Sequence, residues 1–329
     1  MKLVLIKPYF WFRYKRLMLK KILRIGFTGV ILASVLVCVL PIDMGIFRSS
    51  SNYTVHIMFA NLALGILFLI LDEKQLLFIS FLACALLCIY LKTFSNNVLK
   101  LPTKTVQASL NIAQLNITST HEHIYETIES IKNTDVDILS LQEITPDLGI
   151  LLKQELAELY PYRSIVYRKE DFLGIGIFSK LPFANIDTFY VDDIPNLSMD
   201  VLCADKETSI ITSFVYPELS SADNTKVLAQ FEAIQKYAKQ KSKPIIAVGD
   251  YNQLQFSNYL KELKREAFLN DSRRFQFFDN PTDHILFSSH FECVEFQTIS
   301  NRFTNHLGIK GSYQLNNSAA NVQEPNTQF

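Results

Sequence analysis

The sequence predicts an α/β domain held behind apolar, membrane-spanning helices. Two observations carry that expectation. Three nearly charge-free apolar stretches fill most of the first third, and short strand patterns alternate with helical ones from residue 105 onward. The charge distribution agrees. The 329 residues carry 32 Lys+Arg against 32 Asp+Glu, a balance that proves to be a cancellation. Residues 1–24 hold eight cations and no acid (+8), and residues 25–104 hold five cations and three acids (+2), so residues 105–329 sum to −10. A basic head is therefore joined to an acidic body. Five Cys in a chain of this length do not make a disulfide scaffold.

The apolar stretches are 26–42, 55–71 and 76–91. Each approaches the ~17–25 residues that cross ~30 Å of hydrocarbon as a helix, where every backbone amide is satisfied internally. A cleaved leader fits poorly, because its basic region would be too long and two further apolar stretches follow. Asp72-Glu73-Lys74 makes a tight polar turn between the second and third stretches, which predicts a hairpin. The basic segment 1–24 is expected to stay cytoplasmic by the positive-inside rule. Three spans over 25–92 then place the linker 93–104 and all that follows on the other side, an integral protein of the plasma (inner) membrane. Residues 5–24 interleave Tyr9, Phe10, Trp11, Phe12 and Tyr14 with the cations, which suits a lipid-bilayer interface. His56 and Asn61 lie within the second stretch and are expected to bond neighbouring helices.

The body, 105–313, reads as one α/β domain. Residues 106–117 are apolar at every second position, a strand. Residues 121–133 put Ile124, Ile128 and Ile131 on one helical face. Residues 137–143 form a buried strand ending in an acid, and 148–159 a helix. Residues 174–179 and 209–214 read as strands. Asp223 or Asn224 caps a helix whose core face is Val227, Leu228, Phe231 and Ile234. Residues 244–250 form a strand, again ending in an acid, and 285–287 and 293–296 are closing strands. The polar run 314–329 is expected to be a disordered tail.

Apolar strands that stop at Asn116, Glu143 and Asp250-Tyr251-Asn252 converge their polar tips at one sheet edge. Hard oxygen ligands gathered there suit Mg²⁺ or Mn²⁺, and no paired Cys or His spacing supports zinc.

The order Leu115-Asn116-Ile117, Ser140-Leu141-Gln142-Glu143, Gly174 to Pro182, Gly249-Asp250-Tyr251-Asn252, Thr282-Asp283-His284-Ile285 and Asn305-His306 resembles the endonuclease/exonuclease/phosphatase superfamily, in its membrane-anchored type with three N-terminal helices. The resemblance implies a two-sheet α/β sandwich behind the three-helix anchor, hydrolysing phosphate esters with a divalent ion. It makes Glu143, Asn116 and Asn305 metal ligands, and Asn116, Asn252 and His306 substrate-binding residues. Asp250 would orient the attacking water with Asn252 beside it. His306 would contact the phosphate, held by Asp283.

Two positions depart from the family pattern. The usual catalytic His is absent from Thr212-Ser-Phe-Val-Tyr-Pro217, where Phe214 is its equivalent, and Asn305 stands where the last motif has Asp. Four His, at 121, 123, 284 and 290, are candidates to stand in. The departures set two expectations side by side: a membrane-anchored phosphoesterase acting on a phosphorylated small molecule or lipid, or a degenerate member that binds or scaffolds. The acidic body places nucleic acid behind these partners. Cys203 and Cys293 are open between a disulfide and buried thiols.

Overall fold

A computed structural model describes residues 6–40, 53–96, 109–117, 123–203, 205–217, 223–273, 282–300 and 307–316. The chain divides into two compact units, 1–95 and 96–329.

The first unit holds α1 (Ile6–Val39), α2 (Thr54–Ile70) and α3 (Lys74–Lys92). Helix α1 runs unbroken from the basic stretch into the first apolar stretch. Within it Leu17–Val39, together with Lys74–Lys92, is long and apolar enough to cross a membrane, whereas α2 is shorter at 17 residues. Among the described residues, two helices of that length therefore stand where the sequence suggested three spans. Polar contacts clip the helices together. Arg24 pairs with Glu73 at 2.6 Å, and Asn61 Nδ2 donates to Ser34 Oγ at 3.2 Å, which is the neighbour-bonding role expected of it. Gly65 lets Phe81 approach, since a Cβ there would lie 2.9 Å from its ring. Large apolar side chains face outward, with Ile70 76% and Phe78 72% exposed.

The second unit stacks helix, sheet, sheet and helix. Sheet one has the order β11-β12-β1-β2-β4-β3, with β1 (Leu110–Asn116), β2 (Ile138–Ile144), β3 (Tyr162–Tyr167), β4 (Gly174–Ser179), β11 (Phe291–Ile299) and β12 (Gly308–Leu315). Sheet two has the order β5-β6-β7-β8-β10-β9, with β5 (Phe183–Val191), β6 (Ile194–Cys203), β7 (Lys206–Phe214), β8 (Ile245–Asp250), β9 (Leu269–Asp271) and β10 (Asp283–Ser288). Alternation along the central strands separates two apolar sets. Ile112, Ile138, Ile246, Val248 and Ile285 fill the space between the sheets. Ala113, Leu115, Leu139 and Leu141 turn outward beneath α4 (Ile124–Lys132) and α5 (Pro146–Glu155). Ile211, Ala247 and Leu286 do the same beneath α6 (Asn224–Gln240) and α7 (Asn258–Glu266).

Local signals explain the helix starts. Thr145 caps α5 by accepting from Leu148 N, with Pro146 in the first turn, and Ser257 Oγ accepts from Tyr259 N at the start of α7. Helix α6 buries Val227, Phe231 and Ile234 as expected, but Leu228 is exposed: the buried stripe continues through Ala238 and leaves position 228 at its edge. Gln314 and Leu315, expected in the tail, finish β12 instead, because Leu315 pairs with Phe291. Residues 317–329 lie outside the described residues. Cys203 and Cys293 are buried in the inter-sheet core as thiols, with no disulfide between them.

Candidate active site

The polar strand tips meet at one end of the two central sheets. In sheet one, Asn116 ends β1 directly beside Gln142 of the parallel strand β2. The β2/β4 register then slips between Gln142 and Ile144, and Glu143 takes a left-handed backbone at φ 60°. A bulge of this kind re-aims one side chain out of the ladder. Glu143 uses it to line a pocket with Arg168, Gly174, Ile194 and Phe214.

Sheet two supplies the other wall. Phe214, Asp250 and Asp283 stand level across β7, β8 and β10, because Asp250 is in register with both of its neighbours. Gly249 permits this, since a Cβ there would lie 1.8 Å from Ser213 O on β7. Asn252 has φ 48°, donates its backbone N–H to Asp250 Oδ1 at 3.0 Å and gives its side-chain NH₂ to Val215 O at 2.8 Å.

The sheets are joined beneath these groups by buried hydrogen bonds. Ser140 Oγ lies 2.7 Å from Gln114 Oε1 and 2.6 Å from Thr212 Oγ1. Gln142 Nε2 donates to Thr212 Oγ1 at 3.2 Å and to Ser213 O at 3.3 Å. This crosslink fixes the β2 tip, and with it Glu143, against β7. At the rim, Asn116 Nδ2 approaches Asp250 Oδ2 at 3.5 Å. Burial and then the neighbouring Asp283 charge push the Asp250 carboxyl above the usual carboxylate range, against the hydrogen bond from Asn252. Asp283 is buried, with its Oδ1 3.7 Å from the Arg273 guanidinium.

Thus Asn116, Asp250, Asn252 and Asp283 come together, and Glu143 opens on the pocket that also holds Phe214. Asn305 and His306, and the candidate His121, lie outside the described residues. His284 is no stand-in for the missing His: it is fully buried, with Nδ1 3.0 Å from Asp271 Oδ2 and Nε2 2.9 Å from Gln253 O. His290 sits by the β10–β11 turn near Ser288, and His123 precedes α4. None of these lines the Glu143 pocket. A larger cavity, about 210 Å³, lies at the opposite end of β1 around Asn111 and Lys310 and contains none of the candidate residues.

Sequence reasoning missed Arg168 and the crosslink of Gln114, Ser140 and Thr212. Arg168 sits in a run of charges, Arg168-Lys169-Glu170-Asp171, that reads as a solvated turn, and β3 itself was not expected.

The donor set at the tips, carboxylate and amide oxygens, fits a hard divalent cation by its chemistry. Among the described residues no group of three or more His, Cys, Asp and Glu lies close enough together to hold a metal ion.

Residues 108–302 match the endonuclease/exonuclease/phosphatase family. No curated protein matches the chain. Among solved structures, an endonuclease/exonuclease/phosphatase from Beutenbergia cavernae is similar at 14% identity and TM-score 0.54, covering 64% of this chain and 72% of its own. The human Nocturnin catalytic domain with bound sulfate is similar at 15% identity and TM-score 0.53, covering 63% and 95%. The mannosyl-6-phosphatase Bt3783 of Bacteroides thetaiotaomicron is similar at 15% identity and TM-score 0.50, covering 63% and 99%.

Proposed function

The chain belongs to the endonuclease/exonuclease/phosphatase family, and from that premise we propose that it is a divalent-metal-dependent phosphoesterase tethered to a membrane. The family name itself spans phosphatases and nucleases. The observation that carries the reading is the meeting of Asn116, Asp250 and Asn252 across two sheets, with Asp283 level beside them. Glu143, Asn116 and Asn305 would hold Mg²⁺ or Mn²⁺. Such an ion, when bound, withdraws charge from phosphoryl oxygens.

The chain's own groups account for the rest. Asp250, with a carboxyl raised by burial and by Asp283, is suited to take a proton from water. Asn252 holds that carboxylate through its backbone N–H. His306, oriented by Asp283, would bind the phosphate. The substrate class is a phosphorylated small molecule or lipid, consistent with the mannosyl-6-phosphatase among the similar folds.

Packing supports a retained membrane anchor over a cleaved leader, because α1 is fixed to its neighbours by the Arg24–Glu73 pair and the Asn61–Ser34 bond. The eight cations of residues 1–24 favour a cytoplasmic N-terminus; were the 17-residue α2 to cross as well as the two longer helices, the catalytic unit would lie extracytoplasmic at the plasma (inner) membrane.

The test is turnover. The full chain in detergent, assayed with Mn²⁺ or Mg²⁺ on phosphomonoester, phosphodiester and lipid-phosphate substrates, should show activity that Glu143→Ala abolishes. Absence of any Glu143-dependent turnover rejects the reading.

A second reading, a degenerate member that binds or scaffolds, is favoured by Phe214, an apolar ring 5% exposed and level with Asp250. Under that reading only the double variant Phe214→His with Asn305→Asp gains activity, and turnover by the native chain rejects it.

A further inference from the structure

The pocket that opens beside Glu143 contains one positive group, and that group is incompletely bonded. Arg168 is 6% exposed. Its Nε donates to Asp171 Oδ1 at 3.0 Å and one terminal nitrogen reaches Asp171 Oδ2 at 2.8 Å, a two-point pair. The other terminal nitrogen, Nη1, is buried with no hydrogen-bond partner. A buried guanidinium N–H left unpaired is costly, and native structures rarely leave one without a reason.

The turn and two aromatic rings hold the side chain there. The Arg168 backbone N–H donates to Leu173 O at 2.9 Å, and the Leu173 N–H donates to Asp171 Oδ1 at 3.0 Å, closing the β3–β4 turn around the ion pair. On its face, the guanidinium carbon lies 4.6 Å from the centre of the Phe214 ring and 5.3 Å from that of Tyr216. An aromatic face attracts a cation, more strongly when water is excluded. Phe214 therefore serves as a platform for Arg168. The cavity lined by Glu143, Arg168 and Phe214 has a volume of about 10 Å³, about the room that one water oxygen needs.

We infer that Arg168, seated on Phe214, is the phosphate-binding residue of this site, and that its Nη1 donates to one non-bridging phosphoryl oxygen entering the pocket beside Glu143. A hole the size of one oxygen, lined by the residue that carries the unpaired donor, would select a tetrahedral oxyanion through a single oxygen. The position where the family pattern has a His thus contributes indirectly. Its ring carries a guanidinium in place of an imidazole. The inference rests on the phosphoesterase reading of the same site and assigns the group that meets the charged ester.

The experiment is binding of inorganic phosphate to the full chain by isothermal titration, with and without Mg²⁺, for the native protein, Arg168→Lys and Arg168→Gln. Thermal unfolding confirms that each variant is folded. Charge-assisted hydrogen bonds lost on substitution correspond to about 10- to 100-fold weaker binding, and that loss is expected in both variants. Arg168→Lys keeps the charge next to Asp171 and decides the matter if Arg168→Gln does not fold. Phosphate affinity within twofold of native in Arg168→Lys, or no phosphate binding by the native chain under either condition, overturns the inference. The function reading fails separately. Phosphate bound through Arg168 with no turnover removes the enzyme and keeps the site, while turnover with phosphate binding indifferent to Arg168 does the reverse.

Discussion

Asp250 and Asp283 stand directly opposite each other on the antiparallel strands β8 and β10, two buried carboxyls in one cross-strand pair. Like charges so placed destabilise a sheet. The Asp250 carboxyl is raised accordingly, first by burial and then by its neighbour. A carboxyl raised in the folded state binds its proton more tightly there than in the unfolded chain. Its ionisation therefore costs stability as pH rises above the unfolded value. Asp250→Asn removes that cost. The variant is expected to unfold at a higher temperature than the native chain at neutral pH while losing turnover. A lower midpoint in differential scanning would contradict this account of the pair.

The backbone at Glu143 makes a similar prediction through a different term. A non-glycine residue at φ 60° carries about 1–3 kcal/mol of local strain. Glu143→Gly should relieve part of it, whereas Glu143→Ala keeps a Cβ in the left-handed region. Urea titration should rank the glycine variant about 1 kcal/mol above the alanine variant, with both inactive. Equal stabilities would show that the bulge is unstrained.

Gly249 tests the route by which Asp250 reaches its place. A Cβ at this position would lie 1.8 Å from Ser213 O, a backbone atom that cannot rotate away. Gly249→Ala must part β7 from β8. A destabilisation of about 1–3 kcal/mol or more is expected, together with loss of activity although no candidate site side chain is changed. Retained activity would mean that the site tolerates a shifted Asp250.

The buried pair of Asp271 and His284 makes the stability of the domain depend on pH on the acid side. Burial alone would raise the Asp271 carboxyl, but the His284 charge and hydrogen bond, aided by Lys264, hold it below the usual range. A depressed carboxyl contributes stability that is present above the unfolded value and lost as pH falls through the folded one. Stability should thus hold down to about pH 5 and fall steeply below about pH 4. Asp271→Ala, which leaves His284 buried without its carboxylate, should cost about 3–5 kcal/mol at neutral pH. Urea midpoints measured across pH would refute this if the native curve were flat from pH 5 to pH 3.

Strands β2 and β8 were readable because their apolar residues run continuously to an abrupt polar tip, whereas the buried β6 was missed because Asn196, Ser198 and Asp200 interrupt its apolar run. Strands β5 and β3 were missed too, since their residues are mostly half-buried or exposed at the sheet edges and mix polar with apolar side chains. Short α7 was hidden by its low share of apolar residues, only Leu260 and Leu263 being buried in its apolar stripe. The tips Asn116, Glu143, Asp250 and Asn252 were legible as polar residues recurring at strand ends, whereas Asp283, which opens β10, came only with the family resemblance.

By itself, the sequence determined the two-part organisation: a basic and apolar head joined to an acidic α/β body whose candidate groups lie at strand ends. Those features follow from local periodicity and charge, which neighbours in the chain express without any folding. Only the tertiary structure decided which groups meet. Asn116 and Asp250 are 134 residues apart and belong to different sheets, and their approach depends on how the two sheets stack. The same holds for Arg168, whose bond to Asp171 is local but whose seat on Phe214 brings a turn of sheet one onto a strand end of sheet two. No periodicity encodes a contact made across the core, because it depends on the packing of every side chain between the sheets.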